Sequence, residues 1–338
     1  GNGYVGKVGT TTIFTLTLNS TTGAYNFTLF EPLDHAAAGT DDILLNFGYE
    51  AKDNEGDATS ATLTVTVQDD TPAYNNVSGN VDEDSFGATL STTVALSGVT
   101  GADGAGNVSP SGSFSATAGG STTPLTVDGQ AVTVTQSGND YVGRVGGTVI
   151  FTLVYNSTNA TFAYTQNQPI NPPNTGNDND VLTLNFGMNA EDGDGDASDF
   201  TVAIDVRDSG PVAVNDTDSV IAEDRVTNGN VLTNDDAGAD GGAEVTNIAY
   251  FGNNQSVPSS GSATVSGSYG SLSMNENGTY NYTLYTQNTD YVDTNTTYTD
   301  TFTYRMEDRD GDSDTATLTI TTDAARVRDG SNGNSNLS

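Results

Sequence analysis

The stretch that decides the fold runs Val181-Leu182-Thr183-Leu184-Asn185-Phe186-Gly187-Met188-Asn189-Ala190, then Glu191-Asp192-Gly193-Asp194-Gly195-Asp196-Ala197, then Ser198-Asp199-Phe200-Thr201-Val202-Ala203-Ile204-Asp205-Val206-Arg207. Two arms of alternating apolar and polar residues flank a tip of Asp and Gly. A two-residue period rich in β-branched and aromatic side chains marks a half-buried strand, and Asp and Gly are turn formers. The stretch therefore predicts a hairpin. Its tip recurs as Asp308-Arg309-Asp310-Gly311-Asp312 and, less strictly, as Asp53-Asn54-Glu55-Gly56-Asp57. Carboxylates at i, i+2 and i+4, loosened by glycine, can converge on one hard cation. Calcium takes six to eight oxygen ligands and accepts irregular loops.

Working outward, the same alternation appears in Ile13–Leu18, Leu63–Val67 and Leu318–Ile320. No amphipathic helix longer than a turn or two is visible. Many short strands with polar turns predict an all-β chain of tandem Ig-like antiparallel β-sandwiches.

The chain repeats itself. Gly1-Asn2-Gly3-Tyr4-Val5-Gly6-Lys7-Val8-Gly9 returns as Gly138-Asn139-Asp140-Tyr141-Val142-Gly143-Arg144-Val145-Gly146, and Asn46-Phe47-Gly48 returns as Asn185-Phe186-Gly187. The linker Asp69-Asp70-Thr71-Pro72 matches Asp208-Ser209-Gly210-Pro211. Residues 73–211 then form one complete repeat, and residues 1–72 the second half of another. Residues 212–323 read as a diverged third copy, and residues 324–338 as a linker or frayed tail. An opening in mid-repeat reads as a piece of a longer chain.

The 338 residues carry 44 Asp and Glu against 9 Lys and Arg, a formal net charge of -35. That argues against nucleic acid, whose phosphates need basic side chains, and against anionic membranes. No apolar run is long enough for a membrane span. A compact state with this charge repels itself, and divalent ions relieve it. Cys and Trp are absent, and His35 is the single histidine. A Ser-His-Asp system would have to rest on that one residue, so no catalysis is expected. His35 itself reads as a surface residue. The alternating aromatics Tyr25, Phe27, Phe162, Tyr164, Tyr280 and Tyr282 read as core.

Val212-Ala213-Val214-Asn215-Asp216 leads into Ala222-Glu223-Asp224 and then Gly229-Asn230-Val231-Leu232-Thr233-Asn234-Asp235. With the Asp-Gly-Asp hairpin and a closing Thr-Leu-Thr-Ile-Thr strand, this resembles bacterial cadherin-like and VCBS repeats. Val81-Asp82-Glu83-Asp84-Ser85 looks like the same opening in the complete repeat. Such repeats form the extender regions of giant repeats-in-toxin (RTX) adhesins. The resemblance implies an extracellular, cell-surface protein exported by type I secretion. It also implies structural calcium at several sites and no catalysis. The expected function is to project a binding module for surface attachment or biofilm formation. The alternatives are a glycan- or peptide-binding adhesin module, with Tyr285 to Tyr298 as its loop, and a subunit of an extracellular filament or surface layer. The expected partners are neighbouring repeats of the same chain, with a glycan, protein ligand or neighbouring subunit as further candidates.

The candidate calcium ligands are Asp53, Glu55 and Asp57, then Asp192, Asp194 and Asp196, then Asp308, Asp310 and Asp312 at the tips. Asp69, Asp70, Asp208 and Asp216 join them from the linkers. A ten-residue arm spans roughly 33 Å at about 3.3 Å per residue, most of a sandwich's length. Each tip therefore lies at the pole opposite its own outgoing linker and faces the incoming one. Asp192–Asp196 is expected beside Asp69 or Asp70, and Asp308–Asp312 beside Asp208 or Asp216. The Asp53–Asp57 tip has no such linker and is expected to be weakly occupied.

Overall fold

The computed structural model describes residues 3–35, 39, 41–171, 180–221, 224–285 and 297–323. Among them every regular element is a strand, except two short 3-10 turns, Glu83–Ser85 and Val231–Thr233. The fold is all-β, a tandem of two-sheet sandwiches. The Tyr285–Tyr298 loop and the tail fall almost wholly outside the described residues.

In the complete repeat, one sheet has the order Ser121–Thr122, Ala105–Ala118, Val181–Asp192, Ala197–Arg207, Val77–Asp82. The facing sheet has the order Thr133–Ser137, Asp140–Val145, Thr148–Asn156, Thr161–Gln166, Leu90–Ala95. The quoted hairpin pairs from Val181↔Arg207 to Glu191↔Ala197. Its alternation works as read: Leu182, Leu184, Phe186, Met188 and Ala190 are all buried, against Phe151, Phe162 and Tyr164 of the other sheet. Burial of that apolar face is the main force closing the sandwich.

The repeated Tyr-Val-Gly signature has a packing cause. Gly143 lies at a bulge, and a Cβ there would collide with the Phe151 ring. Gly6 stands in the same relation to Phe14. Glycine is needed at both places for the ring to close over the strand.

Residues 212–323 build a second pair of sheets. One has the order Asp216–Ile221, Ser313–Asp323, Tyr298–Glu307, Glu244–Tyr250, Asn253–Ser256, and the other Val226–Asn230, Thr279–Leu284, Gly270–Asn275, Ser262–Ser266. In both units the first strand runs parallel to the last, Val77–Asp82 beside Ala197–Arg207 and Asp216–Ile221 beside Ser313–Asp323.

The N-terminal residues form Gly3–Val8, Thr11–Leu18 and Tyr25–Leu29 as one sheet and the hairpin Asp42–Lys52 with Ala58–Gln68 as another. No strands corresponding to Val77–Asp82, Leu90–Ala95 or Ala105–Ala118 cover them among the described residues. Tyr4 is accordingly 46% exposed, whereas its counterpart Tyr141 is 2% exposed.

Candidate metal centre

The three tips are one turn made three times. The first aspartate accepts backbone N–H groups from the residues that follow. Asp53 Oδ1 accepts from Glu55, Gly56 and Asp57, Asp192 Oδ1 from Gly195 and Asp196, and Asp308 Oδ1 from Gly311 and Asp312. Gly56, Gly195 and Gly311 have φ of 98°, 105° and 102°, a region that favours glycine. One oxygen of the first aspartate is thus committed to shaping the turn. The other, Oδ2 of Asp192 and of Asp308, is buried without a hydrogen-bond donor, as are both oxygens of Asp194.

At the first joint, Asp69, Asp70 and Asp103 bring carboxylate oxygens within 4.8 Å of one another, and so do Asp192, Asp194 and Asp196. The loop Gly101-Ala102-Asp103-Gly104 stands between linker and tip. Ala102 N–H donates to Asp70 Oδ2 at 2.8 Å, and Gly193 leaves room for the Asp103 carbonyl. Asp196 Oδ1 accepts the Gly39 N–H from the preceding unit.

The second joint is built the same way. Asp208, Asp310 and Asp312 form one oxygen group within 4.8 Å, and Glu83, Asp208 and Asp240 form another. The loop Gly238-Ala239-Asp240-Gly241 repeats the arrangement, with Ala239 N–H donating to Ser209 Oγ at 2.7 Å and Arg309 N–H to Gly241 O at 3.0 Å. Glu83 arrives because Val77–Asp82 runs parallel to the last strand, with Asp82 opposite Arg207. Its Oε1 accepts from Ile170 N–H at 2.9 Å and from the Gln166 amide, and its Oε2 is buried without a donor.

The electrostatics are those of crowded, dehydrated anions. Burial, then the charges of Asp310 and Asp240, push Asp208 up to about 9. Burial lifts Glu83 to about 8 against the Ile170 N–H, with Asp240 raising it further. Burial and Asp310 bring Asp240 to about 7, and burial with the Asp310 carboxyl brings Asp308 to about 8. At the first joint, burial raises Asp69 against the opposing His35, and Asp194 and Asp196 raise it further. Burial and Asp194 raise Asp103. Dehydrated carboxylates take a proton or a cation. Oxygens up to 4.8 Å apart suit an ion whose ligands stand roughly 2.3–2.6 Å from it, and the all-oxygen set at the second joint suits a hard one.

The structure thus brings Asp69, Asp70, Asp192, Asp194 and Asp196 to the first joint and Asp208, Asp308, Asp310 and Asp312 to the second. Asp53, Glu55 and Asp57 sit on an exposed tip and belong to no metal-like group among the described residues. Asp216 stands apart from the Asp308–Asp312 tip. It and Asp235 lie 3.0 Å from the Tyr304 hydroxyl, because the strand that begins at Asp216 has already left the joint. Burial, partly offset by that hydroxyl, raises Asp216 to about 6. Asp41, Glu83, Asp103 and Asp240 are additional members. His35, read as a surface side chain, is 9% exposed and faces Asp41 and Asp69. For Asp103 and Asp240 the signal was present in the recurring Gly-Ala-Asp-Gly.

Residues 208–324 match the family model described as the bacterial cadherin-like domain, and residues 66–206 match a domain of unknown function, DUF5801. Cadherin ectodomains are among the solved structures to which the chain is similar. The mouse protocadherin-24 EC1-3 structure is 14% identical, with 91% of this chain and 86% of that one covered and a TM-score of 0.28. Protocadherin gamma C5 EC1-3 is 10% identical, with 82% and 76% covered and a TM-score of 0.25. Drosophila N-cadherin EC1-4 is 13% identical, with 91% and 63% covered and a TM-score of 0.25. No curated protein matches the sequence. No helix among the described residues is long and apolar enough to cross a membrane.

Proposed function

We propose that this chain is a calcium-stiffened extender segment of an extracellular bacterial adhesin of the repeats-in-toxin class, exported by type I secretion. It carries a distal binding module away from the cell for attachment or biofilm formation. The observation that carries the reading is the second joint, where Glu83, Asp208, Asp240, Asp310 and Asp312 converge from both sides of one short linker. A calcium ion there would tie the end of one sandwich to the tip hairpin of the next. Asp208 and Glu83 would come from the preceding unit, Asp310, Asp312 and Asp240 from the following one. The first joint would use Asp69 and Asp70 against Asp103, Asp192, Asp194 and Asp196. The ion would neutralise oxygens that otherwise repel, so that linker and tip hold one orientation. The work is mechanical, and no reaction is assigned.

Small-angle scattering tests this. With calcium, the maximum dimension should approach the summed lengths of the units, with a narrow distribution. Chelation should shorten and broaden it. Asp194→Ala should loosen the joint at residue 72 and leave the joint at residue 211 unchanged, with Asp310→Ala doing the reverse. A compact profile in calcium, or equal effects of both variants on both joints, would reject the extender reading.

Two direct contacts also span the later joint. Arg309 donates to Asp128 Oδ1 at 2.8 Å, and Asn171 Nδ2 to Asp240 Oδ1 at 2.9 Å. Asp128 caps the small hairpin of Thr126–Val127 and Gln130–Ala131. Both partners of the ion pair are about half exposed, and such pairs are worth about 0–1 kcal/mol. Arg309→Ala should therefore lower the melting temperature of chelated protein by no more than about 5 °C and leave calcium-loaded protein unchanged. A loss in the loaded protein equal to that of Asp310→Ala would show that the ion pair holds the joint.

A further inference from the structure

Phe251 stands at the tip of the hairpin of Glu244–Tyr250 with Asn253–Ser256 and is 93% exposed. The turn has two residues, with φ of 45° at Phe251 and 81° at Gly252. A turn with φ above zero at both places favours Asn, Asp or Gly in the lead position. The matching turn of the complete repeat, between Ala105–Ala118 and Ser121–Thr122, has Gly119 and Gly120 at 54° and 79°. The small hairpin of Thr126–Val127 with Gln130–Ala131 has Asp128 and Gly129 at 50° and 71°. A bulky aromatic in this conformation is an outlier, and at residue 251 it gains no burial in return. The ring is nonetheless held in place. Tyr250 meets it edge to face, with centroids 4.8 Å apart and planes at 89°. Tyr250 in turn packs on Phe302 at 5.1 Å, and its hydroxyl lies 2.8 Å from both Ser268 Oγ and Asp300 Oδ1. The strand leaving the turn exposes Asn253, Asn254, Gln255 and Ser256, and no residue from 245 to 275 is charged.

We propose that the Phe251 tip and the strand Asn253–Ser256 form a binding site for a neutral polysaccharide on the last sandwich. A pyranose ring presents C–H groups on a face and hydroxyls around its rim. The C–H groups carry partial positive charge and suit the negative face of an aromatic ring. Amide side chains both donate and accept, as sugar hydroxyls do. A stable protein partner asks for a central apolar cluster and roughly 800 Å² a side. Here a single ring stands among exposed polar side chains. An anionic polymer would meet a chain of net charge -35. The inference uses no residue of either joint and no cation, so it stands or falls apart from the extender reading.

The test is retardation of the full chain in native gels that contain hydroxyethylcellulose or galactomannan, with carboxymethylcellulose as the charged counterpart. Both neutral polymers should retard the chain, and carboxymethylcellulose should do so less. Phe251→Gly and Phe251→Asn should weaken binding at least about fivefold, the lower end of what loss of an aromatic stacking platform costs. Phe251→Trp should keep it. Glycine and asparagine both suit the turn, so neither variant should lower the melting temperature. No retardation by the neutral polymers would overturn the proposal, as would wild-type retardation of Phe251→Gly or stronger retention by carboxymethylcellulose. A lowered melting temperature in Phe251→Gly would assign the ring to the fold instead of a ligand. A wild-type chain that sediments as a dimer, with Phe251→Gly a monomer, would give the surface to a second copy and also reject the proposal. Failure of the extender reading would show separately, in the scattering profile.

Discussion

Stripped of divalent cations, the protein should become less stable as the pH rises from about 5 to about 9, and calcium should reverse that slope. The sign follows from the second joint. Glu83, Asp208, Asp240 and Asp308 have folded-state pKa values of about 8, 9, 7 and 8, all above their ordinary values near 4. Between those limits the metal-free folded chain holds protons that the unfolded chain releases. Stability falls with pH wherever the folded state binds more protons. Below about pH 4 both states are protonated, and these groups contribute no pH dependence. Calcium needs the ionised carboxylates, so its affinity rises through the same window. At a calcium concentration about a thousand times its dissociation constant, native-state binding adds about 4 kcal/mol. For a unit of about 100 residues that is well over 10 °C in melting temperature. Melts in calcium and in chelator should therefore diverge at about pH 8 and approach each other at about pH 5. Coincident melts at both pH values, with metal removal verified, would sink the idea.

Asp300→Ala should strongly destabilise the last sandwich with or without calcium. Asp300 is 1% exposed and collects five donors. The N–H groups of Ser268, Tyr269 and Gly270 bind it at 2.9, 3.1 and 3.1 Å, and the hydroxyls of Tyr250 and Tyr282 at 2.8 and 2.6 Å. The carboxylate belongs to Tyr298–Glu307, whereas the 268–270 turn and Tyr282 belong to the facing sheet, so one side chain ties the two layers. Alanine leaves five donors without their acceptor, those of Gly270 and Tyr282 buried, at a cost on the order of 3–5 kcal/mol. Urea melts of the full chain should show the loss in the transition of residues 212–323, equally in calcium and in chelator. A loss below about 1 kcal/mol would mean that water replaces the carboxylate.

The hairpin and the turns were legible because alternation and Asp-Gly chemistry are local. Val181–Arg207 carries its own register, and its length alone places the tip far from the outgoing linker. The parallel strand Val77–Asp82 was not legible, since nothing in its residues names a partner more than a hundred positions away. That pairing is what brings Glu83 to the joint, and without it Asp82-Glu83-Asp84 reads as a solvated acidic turn. Asp103 and Asp240 were within reach, because Gly-Ala-Asp-Gly is written twice. Asp216 looked equivalent to Asp208 by composition. A few residues of extended chain separate them, enough to carry Asp216 to the Tyr304 hydroxyl. His35 was read from a small-residue loop, and nothing local in that loop names Asp69, whose carboxylate stands 3.7 Å from its ring.

The parallel pairing also determines how the chain meets tension. A pull along the molecule enters the complete sandwich at Val77 and leaves it at Arg207. Those strands lie side by side and point the same way, with six residue pairs from Val202↔Val77 to Arg207↔Asp82. Such a load slides one strand along the other, so the pairs resist together in shear instead of peeling one at a time. The last unit repeats the device with Asp216–Ile221 and Ser313–Asp323. Tension along the chain would therefore meet its resistance in the first and last strands of these two sandwiches.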